Sequence, residues 1–291
     1  MKPLVSILIP AYNAEEWIAE TIQSAIAQTW QRKEILIVDD GSTDRTAEVA
    51  ERFQSTDVKV VRKDNEGAAA TRNCALQLSQ GHYIQWLDAD DLLAPDKIQL
   101  QMDALAGSGD TGLLLSSEWA SFSHRKEHGR FVGGSLWQNL PPVEWLVTRM
   151  RDNQYMQTAT WLTSRELAEA AGPWDTSLLS DDDVEYFCRV ILASKGTRFV
   201  SGAKVFYRIG PLSRLSYIGP SDRKKDALLM SMKSQIQQVR SHEDSERVRK
   251  ACLTYMQNEL GHFYPERPDI VNELQALAAQ LGGQLAVRTD H

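Results

Sequence analysis

Residues 5–13 of the chain read VSILIPAYN, and residues 34–44 read EILIVDDGSTD. Each stretch is a short run of apolar, mostly branched residues that ends in a cluster of polar ones. Continuous apolar runs of this length are typical of parallel strands that are buried on both faces. Two further runs that favour strands lie at residues 58–62 and 82–87. We therefore predict that the chain begins with four buried parallel strands.

The segments between these runs carry apolar residues at helical spacing, as Ile18, Ile22 and Ala25 show. Strands that alternate with helices form right-handed crossovers, which place helices on both faces of the sheet. The predicted fold class is therefore α/β with a mainly parallel sheet. From Pro220 onward the pattern is almost wholly helical. We expect an α/β domain at residues 1–219 and a helical C-terminal extension at residues 220–291.

Local sequence signals predict several individual elements. Ser42 or Thr43 is expected to cap a helix over residues 43–53. Residues 120–142 contain several Gly and Pro residues, which indicate a long loop. Residues 158–163 are expected to form one strand, and residues 198–200 and 204–208 two short ones.

Composition narrows the class of protein. The 291 residues carry a net charge of −7 and no basic stripe, which argues against a nucleic-acid partner. Cys74, Cys188 and Cys252 include no CxxC pair, so we expect free thiols in a reducing compartment. The first apolar run is too short for a signal peptide, and no stretch approaches 20 apolar residues. These features predict a cytoplasmic protein, or one peripheral to the inner face of the cell membrane.

Acidic residues follow two of the predicted strands, as Asp39-Asp40 and as Asp88-Ala89-Asp90. In an open α/β sheet, ligands bind outside the carboxyl ends of the strands. Asp88 and Asp90 are two residues apart, so both can project to one side, where they repel each other unless a cation lies between them. Hard oxygen ligands select Mg²⁺ or Mn²⁺. The alternative is a solvated turn that caps the next helix.

Four segments together resemble family 2 glycosyltransferases of the GT-A fold. They are residues 5–13, 34–44, 65–73 and 88–91, which occur in the order and at the spacing of that family within a resemblance that covers about residues 3–215. The resemblance implies a Rossmann-like sheet, with a nucleotide-binding half near residues 1–92 and an acceptor half near 93–219. It also implies an inverting enzyme that uses a nucleotide-diphosphate sugar, with UDP-sugar favoured.

The resemblance assigns donor-site roles to individual positions. Asp40, together with Asp39, is expected to accept a hydrogen bond from the base, and Arg72 to face the nucleotide or its phosphates. Asp88 and Asp90 match the DxD motif, with Asp90 as the direct ligand of Mg²⁺ or Mn²⁺. The full predicted nucleotide-sugar site is Pro10, Ala11, Tyr12, Asn13, Asp39, Asp40, Arg72, Asp88, Ala89 and Asp90.

The catalytic base is a separate inference from Asp181-Asp182-Asp183, which opens a predicted helix after Gly172-Pro173-Trp174-Asp175. The family usually has Gly-Gly-Phe-Asp and then Glu-Asp at these places. Aligned in this way, Asp183 is expected to take the acceptor proton, with Asp182 as the alternative. A purely structural role is also open, because carboxylates complement the dipole at a helix N-terminus.

The acceptor side departs from the family pattern at Gly210, where a His often stands, which leaves a third protein ligand of the metal undefined. Arg208 or Arg214 could instead neutralise the departing diphosphate. Trp174, and less strongly Trp161, could stack on a sugar, although packing in the core is the common role of such residues.

Two alternative functions would require other sequence features. A sugar nucleotidyltransferase usually has a Gly-rich loop with a basic residue after its first strand, and residues 10–14 have neither feature. A non-catalytic nucleotide-sugar-binding protein would not need both the DxD motif and Asp183. The expected acceptor is a saccharide or lipid-linked saccharide in bacterial cell-surface polysaccharide, lipopolysaccharide or glycoconjugate synthesis. The C-terminal helices could pack within the chain, form a homodimer or dock on a membrane.

Overall fold

The computed structural model describes residues 2–108, 110–210 and 218–286 of the chain. The strands are β1 (Val5–Ala11), β2 (Lys33–Asp39), β3 (Val58–Arg62), β4 (Tyr83–Trp86), β5 (Leu92–Leu93), β6 (Leu113–Phe122), β7 (Arg130–Phe131), β8 (Leu162–Ser164) and β9 (Gly196–Arg208). The helices are α1 (Ile18–Ile26), α2 (Thr46–Glu51), α3 (Ala68–Leu78), α4 (Lys97–Ser108), α5 (Pro142–Asp152), α6 (Arg165–Ala171), α7 (Asp182–Ala193), α8 (Asp222–His242), α9 (Glu246–Glu259) and α10 (Pro268–Gln280).

These strands form one sheet in the order β3-β2-β1-β4-β8-β6-β9-β5, with β7 paired to β6. β1 lies parallel between β2 and β4, and β3 lies parallel on the far side of β2. The chain thus moves outward from β1 to β3 and then returns to the other side of β1 at β4. A ligand crevice is expected at such a reversal, outside the carboxyl ends of the strands. The polar residues that follow β1, β2 and β4 are brought to this edge.

The second half of the sheet is mixed. β8 runs antiparallel to β4, whereas β6 and β9 form a long parallel ladder. β9 is one continuous strand where two short strands were predicted. The ladder shifts register beside Ser117 and Glu118, so the paired register skips residues 201–203 of β9. There the Glu118 carboxylate accepts hydrogen bonds from the Ser201 hydroxyl and the backbone N–H of Gly202. Gly202, with a φ of +87°, accommodates this irregularity and lets the strand continue.

The sheet is buried on both faces. Ile7 and Ile9 of β1 belong to the core on the side of α1, whereas Leu8 between them belongs to the core on the other side. The C-terminal helices share this second core, because Met232 and Met256 are buried in the same cluster as Tyr186 of α7. The apolar faces of α8 and α9 are therefore buried against the rest of the chain. This favours packing within the chain over the alternative roles in a homodimer or at a membrane.

Other predicted elements also need correction. α2 begins at Thr46 rather than at residue 43, because Ser42 and Thr43 are both hydrogen-bonded to Asn13 across the strand ends. The predicted strand at residues 158–163 is a 3₁₀ turn, Thr158–Thr160, followed by the short β8. The predicted loop at residues 120–142 includes the end of β6, a 3₁₀ turn at Lys126–His128, and β7.

Candidate active site

The loop after β1 is tied to the loop after β2. Asn13 has a positive φ of 47°, and its side-chain oxygen accepts hydrogen bonds from the backbone N–H and the hydroxyl of Thr43. The backbone N–H of Asn13 donates to the Ser42 hydroxyl at 2.9 Å. Tyr12, in contrast, is 50% exposed at the edge of the crevice. Asn13 therefore shapes the loop, and Tyr12 is an exposed aromatic side chain of this loop, beside the half-buried Pro10 and the buried Ala11.

Asp40 is occupied by contacts within the protein. Its carboxylate accepts hydrogen bonds from Lys63 Nζ at 2.6 Å and from the backbone N–H groups of Glu66 and Gly67 at 3.0 and 2.9 Å. Burial favours the neutral acid, but these donors outweigh it and hold the pKa of Asp40 below its ordinary value. Asp40 therefore anchors the loop between β3 and α3.

Asp39 has the opposite surroundings. It is buried, and its Oδ2 accepts one hydrogen bond, from the backbone N–H of Ser42 at 3.2 Å. Its Oδ1 has no hydrogen-bond partner among the described residues. Buried carboxylate oxygens normally have partners, so this oxygen is suited to a donor on a ligand. The expectation for the base contact therefore shifts from Asp40 to Asp39.

Arg72 of α3 joins two carboxylates that are far apart in sequence. Its Nη1 donates to Asp182 Oδ2 at 2.6 Å, and its Nη2 lies 3.1 Å from Asp88 Oδ1. Its guanidinium lies over the Trp174 ring, 4.5 Å from the centroid. Burial opposes its charge, yet Asp182 and Asp88 hold the pKa of Arg72 above its ordinary value. We call Arg72 with Asp88 and Asp182 the arginine bridge; it places the end of β4 beside the start of α7.

The turn after β4 is held by Arg208 at the end of β9. Arg208 Nε donates to the backbone oxygen of Asp90 at 2.9 Å, and its backbone N–H donates to Asp91 Oδ1 at 2.8 Å. Its Nη2 forms an ion pair with Glu20 at 2.6 Å, and the side chain is buried. Ala89 is fixed from α1, where the Thr21 hydroxyl donates to its carbonyl oxygen. Arg208 therefore supports the acidic turn, and its contact with a departing diphosphate stays a prediction.

The two tryptophans expected near a sugar are core residues. Trp174 is 1% exposed and stacks on Tyr186 with centroids 4.0 Å apart, while Arg72 lies over its ring. Trp161 is also 1% exposed and stacks on Phe187. Neither ring has an open face for a sugar, so the packing role applies to both.

The three carboxylates before and within the first turn of α7 face different neighbours. Asp182 is paired with Arg72. Asp183 Oδ2 accepts hydrogen bonds from the Thr158 hydroxyl at 3.1 Å and the Tyr155 hydroxyl at 3.3 Å. Burial raises the pKa of Asp182 to about 6, with Asp183 and Asp88 adding to the effect and Arg72 opposing it. Asp181 faces α8, where its Oδ2 accepts a hydrogen bond from the Ser231 hydroxyl.

Aromatic side chains that the sequence did not single out lie beside Asp183. Tyr155 is 40% exposed and contacts Trp119 of β6 edge-on at 5.9 Å, and Trp119 contacts Tyr207 of β9 in the same way at 6.2 Å. Neither Tyr155 nor Trp119 belongs to a recognisable motif. The aromatic side chains meet because β6 pairs with β9 and because the segment after α5 passes beside these two strands. No local sequence pattern predicts either contact.

The family model for glycosyl transferase family 2 matches residues 6–168, more than half of the chain. The chain belongs to this family. The match confirms the resemblance seen in the four motif segments and, with it, the glycosyltransferase class.

Individual relatives support the same class. The putative teichuronic acid biosynthesis glycosyltransferase TuaG of Bacillus subtilis is 40% identical over 105 residues, which cover 35% of this chain and 42% of the relative. The UDP-Glc:alpha-D-GlcNAc-diphosphoundecaprenol beta-1,3-glucosyltransferase WfaP of Escherichia coli is 41% identical over 100 residues, or 34% of this chain and 40% of the relative. The chain thus spans about two fifths of the length of these relatives.

Solved structures confirm the fold class. S. aureus TarS 1-349 in complex with UDP aligns with a TM-score of 0.74 at 18% identity, covering 97% of this chain and 82% of that one. Its complex with UDP-GlcNAc aligns with a TM-score of 0.76 at 19% identity, covering 97% and 81%. At this identity the likeness concerns the fold, including the helical C-terminal part.

The side chains that could hold a metal ion are few at this site. Among residues 2–108, 110–210 and 218–286, no three or more His, Cys, Asp or Glu side chains form a ready cation site. Asp88 and Asp90 still offer hard oxygen ligands at the end of β4, which suits a divalent cation that takes its other ligands from phosphate and water. Gly210 is exposed just after β9, and Arg214 lies outside the described residues.

No helix in the part of the chain that the structure describes combines the length and the apolar character needed to cross a membrane.

Proposed function

We propose that the protein is an inverting glycosyltransferase that moves a sugar from UDP to a hydroxyl of a saccharide or lipid-linked saccharide acceptor in bacterial cell-surface polysaccharide synthesis. The observation that carries the proposal is the arginine bridge, because it holds the DxD aspartate Asp88 and the α7 carboxylates in one site. Residues 1–92 would bind the donor and residues 93–219 the acceptor, with residues 220–291 as a helical extension. The names of TuaG and WfaP, and the UDP and UDP-GlcNAc complexes of TarS, support the substrate class.

The donor would lie along the ends of β1, β2 and β4. Asp39 Oδ1 would accept the ring N–H of uracil, which thymine also presents, and Tyr12 would lie against the base or ribose. Asp40 would act indirectly by holding residues 63–67 in place. Asp88 and Asp90 would hold Mg²⁺ or Mn²⁺, which when bound supplies positive charge to the diphosphate as it leaves.

Asp183 would act as the general base. The acceptor hydroxyl gives its proton to the Asp183 carboxylate while its oxygen forms a bond to the anomeric carbon, and the bond from that carbon to the diphosphate oxygen breaks. Attack from the face opposite the leaving group inverts the anomeric configuration. Thr158 and Tyr155 donate to Oδ2 of Asp183 and so fix its orientation. Asp182 is the weaker candidate because Arg72 engages its carboxylate. Tyr155 and Trp119 give the acceptor side its aromatic surface.

Asp183→Asn tests the chemistry. Asn keeps the shape and the hydrogen bonds to Thr158 and Tyr155 but cannot take a proton, so turnover should fall by roughly 10²–10⁴-fold. UDP affinity should stay within about twofold, since the lost interaction belongs to the transition state. The measurements are UDP release from a panel of UDP-, GDP- and dTDP-sugars and UDP calorimetry, with Mn²⁺ and with excess EDTA.

The control for that test is Asp103→Asn, which alters an exposed aspartate of α4 whose partner is Gln99. It should leave both measurements unchanged. If the Asp183→Asn protein keeps more than about a tenth of the rate, the base is assigned to Asp182 instead. Donor binding without any turnover in the unmodified protein would instead support a non-catalytic binding protein. A UDP affinity that does not change with excess EDTA would contradict the proposed role of Mg²⁺ or Mn²⁺ in donor binding.

A further inference from the structure

The turn that carries the α7 carboxylates is held from behind by the C-terminal helix α8. Asp181 caps α7 in the left-handed region, with a φ of +59°, but its side chain makes no capping bond to its own helix. Its Oδ2 instead accepts a hydrogen bond from the Ser231 hydroxyl of α8 at 2.6 Å. The same hydroxyl lies 3.2 Å from the Asp181 carbonyl oxygen. One serine of α8 therefore contacts both the side chain and the backbone of the turn.

Gln235, one helical turn along α8, fixes this serine. Its Nε2 donates to Ser231 Oγ at 2.8 Å and lies 3.4 Å from Asp181 Oδ2. Its side-chain oxygen accepts from Arg149 Nη1 at 2.9 Å, and Arg149 lies over the Tyr255 ring. Ser231 and Gln235 are both fully buried. The polar contacts thus form a network that leaves Ser231 little freedom to turn away from Asp181.

A second contact point lies one turn further along α7. Ser234 and Gln238 of α8 donate to Glu185 Oε1 at 3.2 and 3.0 Å. Asp181 and Glu185 therefore face α8, whereas the residues between them face the site: Asp182 meets Arg72, and Asp183 meets Thr158 and Tyr155. α8 contacts one side of the turn and the proposed catalytic groups occupy the other.

We propose that Ser231 and Gln235 are positioning residues, which hold the Asp181 turn and through it set the orientation of Asp183. The proposal rests on the proposed function for the role of Asp183. A non-glycine residue in the left-handed region is disfavoured unless its surroundings fix it, and here the hydrogen bonds from α8 fix it. Without them the turn relaxes, and a small displacement of a catalytic group is enough to slow a reaction strongly.

Ser231→Ala tests the proposal, with Ser241→Ala as the matched control. Ser241 lies on the same helix, is exposed, and donates to the Gln238 carbonyl oxygen. With Mn²⁺ and UDP-GlcNAc, UDP-Glc and other UDP-sugars as donors, Ser231→Ala should lower the kcat of UDP release by roughly 10- to 100-fold. The Kd of UDP should change by less than about twofold, because the proposed donor contacts lie at the ends of β1, β2 and β4 and not on the α7 turn. Ser231→Thr should recover most of the rate, and Ser241→Ala should match the unmodified protein.

Hydrogen exchange gives a readout that needs no turnover. Ser231→Ala should speed amide exchange in residues 181–188, and Ser241→Ala should not. Asp181→Asn should keep most of the rate, since Asn accepts the same hydrogen bonds from Ser231 and Gln235.

Three results would overturn the positioning role: unchanged exchange in Ser231→Ala, more than half of the kcat in that variant, or a loss in Asp181→Asn as large as in Asp183→Asn. If the unmodified protein releases no UDP from any donor, the proposed function fails, and the exchange result still decides whether α8 holds the turn.

Discussion

Asp39 and Asp40 show how neighbouring carboxylates can be separated by their surroundings. The strand pattern put both at the end of β2, and the resemblance favoured Asp40 for the base. The structure gives Asp40 three donors from the protein and leaves Asp39 Oδ1 without one among the described residues. A hydrogen bond from a ligand therefore contributes most binding free energy at Asp39, because it gives a partner to a buried oxygen.

Asp39→Leu should weaken UDP binding without a large loss of stability. Leu has nearly the shape of Asp and cannot accept a hydrogen bond, so the ring N–H of uracil would be left unpaired, at a cost of about 1–3 kcal/mol, or roughly 5- to 150-fold in Kd. Calorimetry with UDP measures the effect. Asp40→Asn is the companion variant: it should lower the melting temperature more, because Lys63 loses its buried charged partner and keeps the exposed Glu66. Weaker UDP binding in Asp40→Asn than in Asp39→Leu would return the base contact to Asp40.

Sequence reasoning found the acidic positions but not their partners. Residues 34–44 indicate where a strand ends and that carboxylates follow it. They carry no information on Lys63 or on the backbone N–H groups of Glu66 and Gly67, which reach Asp40 from the next crossover. The same limit applies to Trp174, whose sequence neighbours do not reveal that Tyr186 and Arg72 cover its ring.

At the scale of elements, the arginine bridge joins α3, β4 and α7. Arg72 lies 16 residues before Asp88 and 110 residues before Asp182. The alternating pattern predicted α3 and β4 as neighbours in the sheet's first half. The position of α7 depends on β8 joining β4 and on Trp174 packing under Arg72, and both are tertiary contacts. The sequence pattern therefore predicted the elements that form the site. The contacts of Arg72 with Asp88 and Asp182 are visible only in the structure.

Arg72→Lys should break the bridge while keeping the charge. A lysine ammonium cannot reproduce the fixed fork of guanidinium donors that reaches two carboxylates, nor its contact over the Trp174 ring. We expect kcat to fall by at least about tenfold, since Asp88 and Asp182 would lose their shared donor in a buried setting. UDP release and thermal melting measure the outcome.

The control for the bridge is Arg62→Lys. Arg62 pairs with Glu51 at an exposed site, where such a change is worth less than about 1 kcal/mol. It should leave rate and stability nearly unchanged. If Arg72→Lys changes rate and stability as little as Arg62→Lys does, Asp88 and Asp182 keep their positions without the guanidinium of Arg72.

At the scale of the whole molecule, the C-terminal helices are part of the core that surrounds α7. Met232 of α8, Met256 of α9 and Leu274 of α10 are buried in one cluster with Tyr186. The amphipathic pattern of this region predicts helices, and the structure has them, but amphipathicity does not say which surface an apolar face covers. The structure shows that the face covers the chain's own α5 and α7. Stability and the geometry of the site are therefore coupled through this core.

Asp181 provides a measure of that coupling, because its charge lies where α7 meets α8. Burial, together with the nearby charge of Asp183, raises the pKa of Asp181 to about 7, against a weaker opposing effect of Arg149 and Ser231. Between about pH 4 and 7 the folded protein therefore holds a proton that the unfolded chain has released. A group with this difference makes the free energy of unfolding fall as pH rises through that interval.

Asp181→Asn should remove this dependence, because Asn resembles the protonated acid at every pH. The variant and the unmodified protein should have similar free energies of unfolding near pH 4. At pH 8 the variant should be more stable, by roughly 1–3 kcal/mol, since each unit of pKa shift corresponds to about 1.4 kcal/mol and solvent reduces the full effect. Urea unfolding at both pH values measures the difference. If the variant is instead less stable at pH 8, the Asp181 charge is stabilised by Arg149 and the donors of α8, and the contact between α7 and α8 holds an ionised carboxylate.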